Sequence, residues 1–304
     1  MIMNFYAHNN HMSTSERRAF QQISTESGKI LIVAMDQRNS MRSLLVGENN
    51  SYDHITDKQL GAIKSLLVKN LGNYAPALLL DPECALPKVI DEGIISRSCS
   101  LIIGMDASGY DLDEVSNLRN SRVVEGMSAR KVRELGGIAG KLLVYMRPGE
   151  DGDPFAENLI QKTVEDYKNE DLLLIIEILV YKLENESEEE YLQKKPHLIL
   201  ESARIAKENG AKLLKLQYPG SAEMCRKITE TLGDTPWAVL SQGVNHDVFI
   251  KQLIIAIKNG ARGAIAGRSL WKDCLSLNPG EMDTNLRKLA LPRLDEMLDL
   301  LNHA

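Results

Sequence analysis

Four short apolar segments of this chain each carry an ionisable residue that could do chemistry. They are Ile30-Leu31-Ile32-Val33-Ala34-Met35-Asp36, Lys141-Leu142-Leu143-Val144-Tyr145, Leu172-Leu173-Leu174-Ile175-Ile176-Glu177-Ile178 and Lys212-Leu213-Leu214-Lys215-Leu216. Leaving a polar or charged group in such a run costs several kcal/mol unless a partner compensates it. Two lysines, Lys141 and Lys215, and two carboxylates, Asp36 and Glu177, would compensate one another if they converged. An amine held among apolar neighbours and close to a second ammonium loses proton affinity, because desolvation and like-charge repulsion both disfavour its charged form. A neutral lysine is a nucleophile toward a ketone or aldehyde. The protonated imine it forms withdraws electrons from the adjacent carbons, so that a C–C bond can break or form. The expected chemistry is that of an aldolase working without a metal or organic cofactor. Strand parity supports the choice of lysine: placing Lys215 inward with Leu213 and Gln217 sends Lys212 outward to solvent. The same parity groups Leu173, Ile175, Glu177 and Leu179 on one face, and Lys141, Leu143, Tyr145 and Arg147 on another.

The elements that must position these residues alternate regularly. Apolar runs predict strands near 30–36, 76–81, 101–105, 141–146, 172–179, 213–217, 237–241 and 263–266, with helical patterns near 57–70, 83–91, 128–136, 154–168, 198–209, 221–232, 246–259 and 281–301. Several helices run into glycine just before the next strand, at Gly72, Gly136, Gly210 and Gly260, where the left-handed conformation stops a helix at no steric cost. Near-continuous apolar strands indicate a parallel sheet covered on its outer face, and eight strand-helix pairs fit a closed barrel. The expectation is an α/β protein, a (β/α)8 TIM barrel of one domain over residues 13–304, with an extra N-terminal helix opened by Ser13 and Glu16. Residues 1–12 are expected to be flexible. A doubly wound sheet is the rival architecture, but no G-x-G-x-x-G follows the first strand. The acidic run from Glu184 to Glu190 reads as a solvated loop.

A second constellation lies in the last quarter. Val239-Leu240-Ser241-Gln242-Gly243 ends the seventh predicted strand and Ala264-Ile265-Ala266-Gly267-Arg268 ends the eighth. Small residues there let backbone N–H groups approach an anion, and an arginine can fork onto phosphate oxygens. Ser241, Gly243, Gly267 and Arg268 are therefore candidate phosphate ligands.

Composition excludes other partners. A formal charge of -6 argues against nucleic acid and against an anionic membrane surface. Cys84, Cys99, Cys225 and Cys274 show neither C-x-x-C spacing nor a nearby histidine pattern, so free thiols are expected and no metal site is implied. No apolar run reaches the roughly 18 residues needed to cross a bilayer, and the start lacks the order of a secretion signal. A cytoplasmic homo-oligomer acting on a small molecule is expected.

The residues also resemble the class I tagatose 1,6-bisphosphate aldolase family, together with related aldolases that cleave sulfofructose 1-phosphate. The resemblance rests on Met35-Asp36-Gln37-Arg38, Leu78-Leu79-Leu80-Asp81-Pro82-Glu83, Lys141-Leu142-Leu143, Glu177-Ile178-Leu179, Lys195-Pro196-His197, Leu214-Lys215-Leu216, Leu240-Ser241-Gln242-Gly243-Val244 and Gly267-Arg268-Ser269-Leu270-Trp271. It implies that Lys215 forms the Schiff base with C2 of a ketose, with Lys141 and Glu177 beside it as electrostatic partner and proton shuttle. Asp36 would hold substrate hydroxyls, and the phosphate contacts would fall on Ser241, Gly243, Gly267 and Arg268. Two stretches depart from the family. Gln217 stands where a carboxylate commonly follows the Schiff-base lysine, and Tyr145-Met146-Arg147-Pro148 replaces an acidic stretch. Arg147, if it points into the barrel mouth, could bind a second phosphate or a sulfonate at the far end of the substrate, as could Arg38 and Arg42. A sugar-phosphate sensor of the same fold and a barrel isomerase are the competing functions.

Overall fold

The computed structural model describes residues 12–47, 50–149 and 152–304. The segment expected to be flexible lies, Met12 apart, outside the described residues. Ten strands follow in chain order: β1 Ile30–Ala34, β2 Ala77–Leu80, β3 Ser100–Gly104, β4 Asp106–Leu112, β5 Arg119–Val123, β6 Ala139–Tyr145, β7 Leu173–Leu179, β8 Leu214–Gln217, β9 Trp237–Leu240 and β10 Gly263–Ala266. Eight of them close into a parallel barrel in the order β1-β10-β9-β8-β7-β6-β3-β2. β4 and β5 form a separate antiparallel hairpin.

The barrel strands are apolar throughout because both of their faces are covered. Ile30, Ile32, Leu79, Ile102, Ile175 and Ile265 fill the interior. Their neighbours one residue along, such as Leu31, Val33, Leu78, Leu101 and Ile176, pack outward beneath the helices. The N-terminal helix Thr14–Gln22 opens on a capping box, in which Ser13 Oγ accepts from the Glu16 N–H and the Glu16 carboxylate accepts from the Ser13 N–H. Its Phe20, with Ile23 just beyond it, joins the interior cluster, and Leu31 N–H donates to Ile23 O at 3.0 Å. This helix therefore closes the end of the barrel where the strands begin. Lys212 was expected to face solvent; its Nζ instead donates to both Glu16 carboxylate oxygens, at 2.8 and 2.7 Å, and so ties the closing helix to the barrel wall.

Several elements differ from the sequence expectation: a helix, Asn39–Val46, follows β1 where none was expected, and the helix expected near 83–91 is confined to Lys88–Asp91. The hairpin β4/β5 was not anticipated because Asp106–Leu112 is polar, with its residues half-buried or exposed. The acidic run is not all loop: Glu188–Glu208 is one helix, with Ser187 and Glu190 forming a capping box and Glu188, Glu189 and Glu190 in its first turn, where negative side chains oppose the positive end of the helix dipole. The final helical stretch divides into Pro279–Asn285 and Leu291–Asn302 with a π-turn, Leu286–Ala290, between them.

Candidate active site

The four predicted residues meet at the C-terminal mouth of the barrel. Register places Glu177 of β7 level with Lys215 of β8 and with Leu143 of β6. Lys141 lies two residues deeper on β6, opposite Ile175, and its long side chain reaches upward. Lys141 Nζ lies 2.6 Å from Asp36 Oδ2, 2.6 Å from Asp106 Oδ1 and 3.2 Å from Glu177 Oε2. Lys215 Nζ lies 2.8 Å from the same Glu177 Oε2. One carboxylate oxygen thus bridges the two amines. Both lysines are buried, with side-chain exposures of 1% for Lys141 and 5% for Lys215.

Asp106 is the member that sequence reasoning missed. It opens the hairpin directly after β3, and its Oδ1 also accepts from the Leu143 N–H at 3.2 Å. A signal for it was present: Met105-Asp106 follows β3 as Met35-Asp36 follows β1. Finding it required expecting a functional residue immediately beyond each strand rather than within the apolar run.

The cluster holds three carboxylates against two amines, and this imbalance divides the carboxyl groups. Burial pushes Asp36 upward, but Lys141 and then Lys215 outweigh it and hold its carboxyl below the usual range. Glu177 behaves likewise: burial is overcome by Lys215 and Lys141, and it titrates low. For Asp106 burial wins over Lys141, and repulsion from Asp36 and Glu177 adds to it, so its carboxyl is raised. Lys141 has burial against it, yet Asp106, Asp36 and Glu177 together raise it well above the ordinary lysine value. Lys141 is accordingly a fixed cation. A proton on Lys215 has an acceptor at 2.8 Å in Glu177. Asp36 Oδ1 is buried without a hydrogen-bond partner, an acceptor suited to a substrate hydroxyl because an unsatisfied buried acceptor costs about 1–3 kcal/mol.

These groups line a cavity of about 510 Å³ together with Ser241, Gly243, Gly267 and Arg268, a volume within the range of small-molecule sites. At the anion end, Gln242 and Gly243 both take positive φ, 52° and 77°, which turns the chain sharply after Ser241. Ser241 Oγ accepts from the Gly267 N–H at 3.5 Å and joins the β9 and β10 tips. A Cβ on Gly267 would stand 2.7 Å from Ala34 O and 3.2 Å from Gln37 Nε2, so only glycine fits there. Among the described residues Arg268 has no carboxylate within ion-pair distance, so its guanidinium remains available to a ligand.

Gln217 also lines the cavity, but its Oε1 accepts from the Val180 N–H at 2.9 Å and so bridges the tips of β8 and β7. The arginines expected at a second anion site are placed differently. Arg147 does not reach the cavity: β6 ends at Tyr145, and inward alternation ends with it. Its Nη2 donates to both oxygens of Glu186 at 2.8 and 2.9 Å, and its Nη1 to Tyr181 O at 2.9 Å. Glu186, assigned by sequence to a solvated run, is buried by this contact. Arg38 lines the cavity but is paired with Glu83 and with the Asp106 carbonyl. Arg42 is paired with Asp57.

A closed parallel barrel with two amines and three carboxylates at its C-terminal mouth defines a site for carbonyl chemistry. Comparison with known proteins makes this specific. Residues 30–273 match the model of the DeoC/LacD family aldolases; the chain belongs to that family and is a class I aldolase, a carbon–carbon lyase. Tagatose 1,6-diphosphate aldolase 2 of Streptococcus pyogenes serotype M3 is 25% identical over 321 residues, covering 96% of each chain. Tagatose 1,6-diphosphate aldolase 1 of Streptococcus mutans serotype c is 26% identical, covering 95% of this chain and 96% of that one. Among solved structures, a Schiff-base-forming fructose-1,6-bisphosphate aldolase superposes with a TM-score of 0.62 at 18% identity, covering 93% of this chain and 98% of its own. An archaeal fructose-1,6-bisphosphate aldolase with its catalytic lysine bound to a carbinolamine intermediate gives 0.63 at 18% identity, covering 94% and 98%. These two likenesses show the shared fold. No helix among the described residues is long and apolar enough to cross a membrane.

Proposed function

We propose that the protein reversibly cleaves a phosphorylated ketose, tagatose 1,6-bisphosphate, to dihydroxyacetone phosphate and a phosphorylated aldehyde, with Lys215 as the Schiff-base residue. The observation that carries this is Glu177 Oε2 placed 2.8 Å from Lys215 Nζ and 3.2 Å from Lys141 Nζ, on the wall of a cavity that Arg268 also lines. The names of the streptococcal relatives support the choice of sugar.

The 1-phosphate is held by Ser241, Gly243, Gly267 and Arg268, which sets C2 against β8. The Lys215 amine, having passed its proton to Glu177, adds to the C2 carbonyl; Glu177 then gives that proton to the departing hydroxyl, which leaves as water, so that a protonated imine and an ionised Glu177 remain. Lys141 is the permanent cation that keeps Glu177 ionised between proton transfers, and Asp36 accepts from the substrate hydroxyls. Glu177 takes the proton of the C4 hydroxyl, the C3–C4 bond breaks to release the aldehyde, and its electron pair passes into the imine as an enamine. Glu177 returns the proton to C3, and addition of water to the imine releases dihydroxyacetone phosphate and the free amine. Positioning and proton transfer of this kind account for much of the barrier reduction in such reactions.

Borohydride reduction in the presence of dihydroxyacetone phosphate tests the reading: a stable adduct should map to Lys215. An adduct on another lysine would move the site, and turnover without any adduct would favour a non-imine barrel enzyme.

A further inference from the structure

If Lys215 holds C2 and the β9 and β10 turns hold the anion on C1, the carbons beyond C3 must run toward the opposite wall. The barrel order gives the direction. Lys215 on β8 stands two strands from β10 on one side and two strands from β6 on the other, so the tips of β10 and β6 face each other across the eight-stranded mouth. The wall opposite Arg268 is therefore the end of β6 and the hairpin laid over it. Tyr145 N–H donates to Ser121 Oγ at 2.8 Å, and Arg119 N–H donates to Tyr181 Oη at 2.8 Å, which fixes β5 above β6 and β7.

Arg119 lines the cavity at this place. Its guanidinium carbon lies 4.4 Å from the ring centre of Tyr110, 4.5 Å from Tyr181 and 5.9 Å from Tyr145. The three rings meet edge to face, at 5.1 Å for Tyr110 and Tyr145 and 6.1 Å for Tyr145 and Tyr181. Ring faces orient a guanidinium without consuming its N–H donors. Among the described residues no carboxylate lies within ion-pair distance of Arg119, whereas Arg38 and Arg147 are both paired. A planar fork of free donors matches a tetrahedral oxyanion.

We infer that Arg119, oriented by Tyr110, Tyr145 and Tyr181, binds a second tetrahedral oxyanion at the far end of the substrate and selects ketose 1-phosphates that carry such a tail. The inference rests on the Schiff-base reading above. The tail is a phosphate or a sulfonate, which share this geometry.

Three substrates separate the outcomes: a ketose 1-phosphate, the same ketose as its 1,6-bisphosphate, and the 1-phosphate carrying a 6-sulfonate. The native enzyme should prefer a tailed substrate by about 10- to 100-fold in kcat/KM, the range of a hydrogen bond to a charged group. The larger of the two preferences identifies the tail as phosphate or sulfonate. R119M should reduce the preference by about tenfold or more, chiefly through KM, and R119K should restore part of it. A native enzyme indifferent to the tail would overturn the inference whether or not the variants fold, as would an R119M protein that keeps the full preference. Borohydride trapping of the native enzyme separates the two claims. Lack of an adduct on Lys215 defeats the Schiff-base reading, while trapping with an unchanged preference in R119M defeats the Arg119 site alone.

Discussion

Two buried sets of charge in this molecule differ in a way that separates structure from chemistry. Lys64, in the helix Asp57–Leu71, and Asp81, just beyond β2, are 0% and 1% exposed and stand 2.7 Å apart. Asp81 Oδ2 also accepts from the N–H groups of Cys84 and Ala85 at 3.2 and 3.1 Å. One cation meets one anion, and both carboxylate oxygens have partners. At the barrel mouth, two amines meet three carboxylates, Asp36 Oδ1 lacks a partner, and the group faces a cavity. In the matched pair every charged atom has a partner. The mismatched set divides its carboxyl groups between low and raised values. Depth of burial does not distinguish the two; stoichiometry and an open side do.

The largest test of this contrast is K215M. It should lower kcat on the order of 10⁴-fold or more and abolish borohydride trapping in a protein that still folds, because the nucleophile is removed. Retained cleavage would sink the assignment. The mirror experiment is K64M, which leaves a buried carboxylate uncompensated and should cost about 3–5 kcal/mol of stability in urea unfolding, with trapping on Lys215 preserved in the protein that folds. Loss of trapping without loss of stability would erase the distinction between the two sets.

A smaller effect is expected from E177Q, which keeps the shape but removes the proton acceptor beside Lys215. Turnover should fall on the order of 10²–10³-fold, with the adduct still forming slowly; an unchanged kcat would pass the proton role to Asp106. The smallest test is the pH dependence of stability in D106N. Asp106 has a raised value in the folded protein, so between its unfolded and folded values the native state binds more protons than the unfolded chain. Its contribution is present below the unfolded value and is lost as pH rises through the raised folded one. Asp36 and Glu177 are lowered and carry the opposite sign, contributing above their unfolded values and losing that as pH falls. D106N should therefore remove a loss of stability that sets in above about pH 4, and its unfolding midpoint should improve relative to the native protein as pH rises from there. An identical pH profile for the two proteins would rule out the raised carboxyl.

Arginine shows where sequence reading reaches its limit. Arg147 and Arg119 are the same residue type, and alternation along β6 pointed to Arg147. That rule holds only while the strand lasts, and the strand ends at Tyr145. Arg147 then turns to Glu186, a residue 39 positions away, and Arg119 reaches the mouth on a hairpin too polar to register as a strand. Asp106 escaped notice for a related reason, since it belongs to that hairpin and not to an apolar run.

What the chain determined by itself was the barrel and its inward-facing charges. Continuous apolar strands cannot be solvated on either face, and alternation then fixes which side of β6, β7 and β8 looks inward, so Lys141, Glu177 and Lys215 were legible before any coordinates. The glycine and serine turns after β9 and β10 were legible too, because their position in a barrel carries meaning. Only the tertiary structure decided the charge balance of the site and which arginines at the mouth lack a carboxylate partner among the described residues. Both depend on contacts between segments distant in sequence, and the low dielectric that makes those contacts consequential exists only once the barrel has closed.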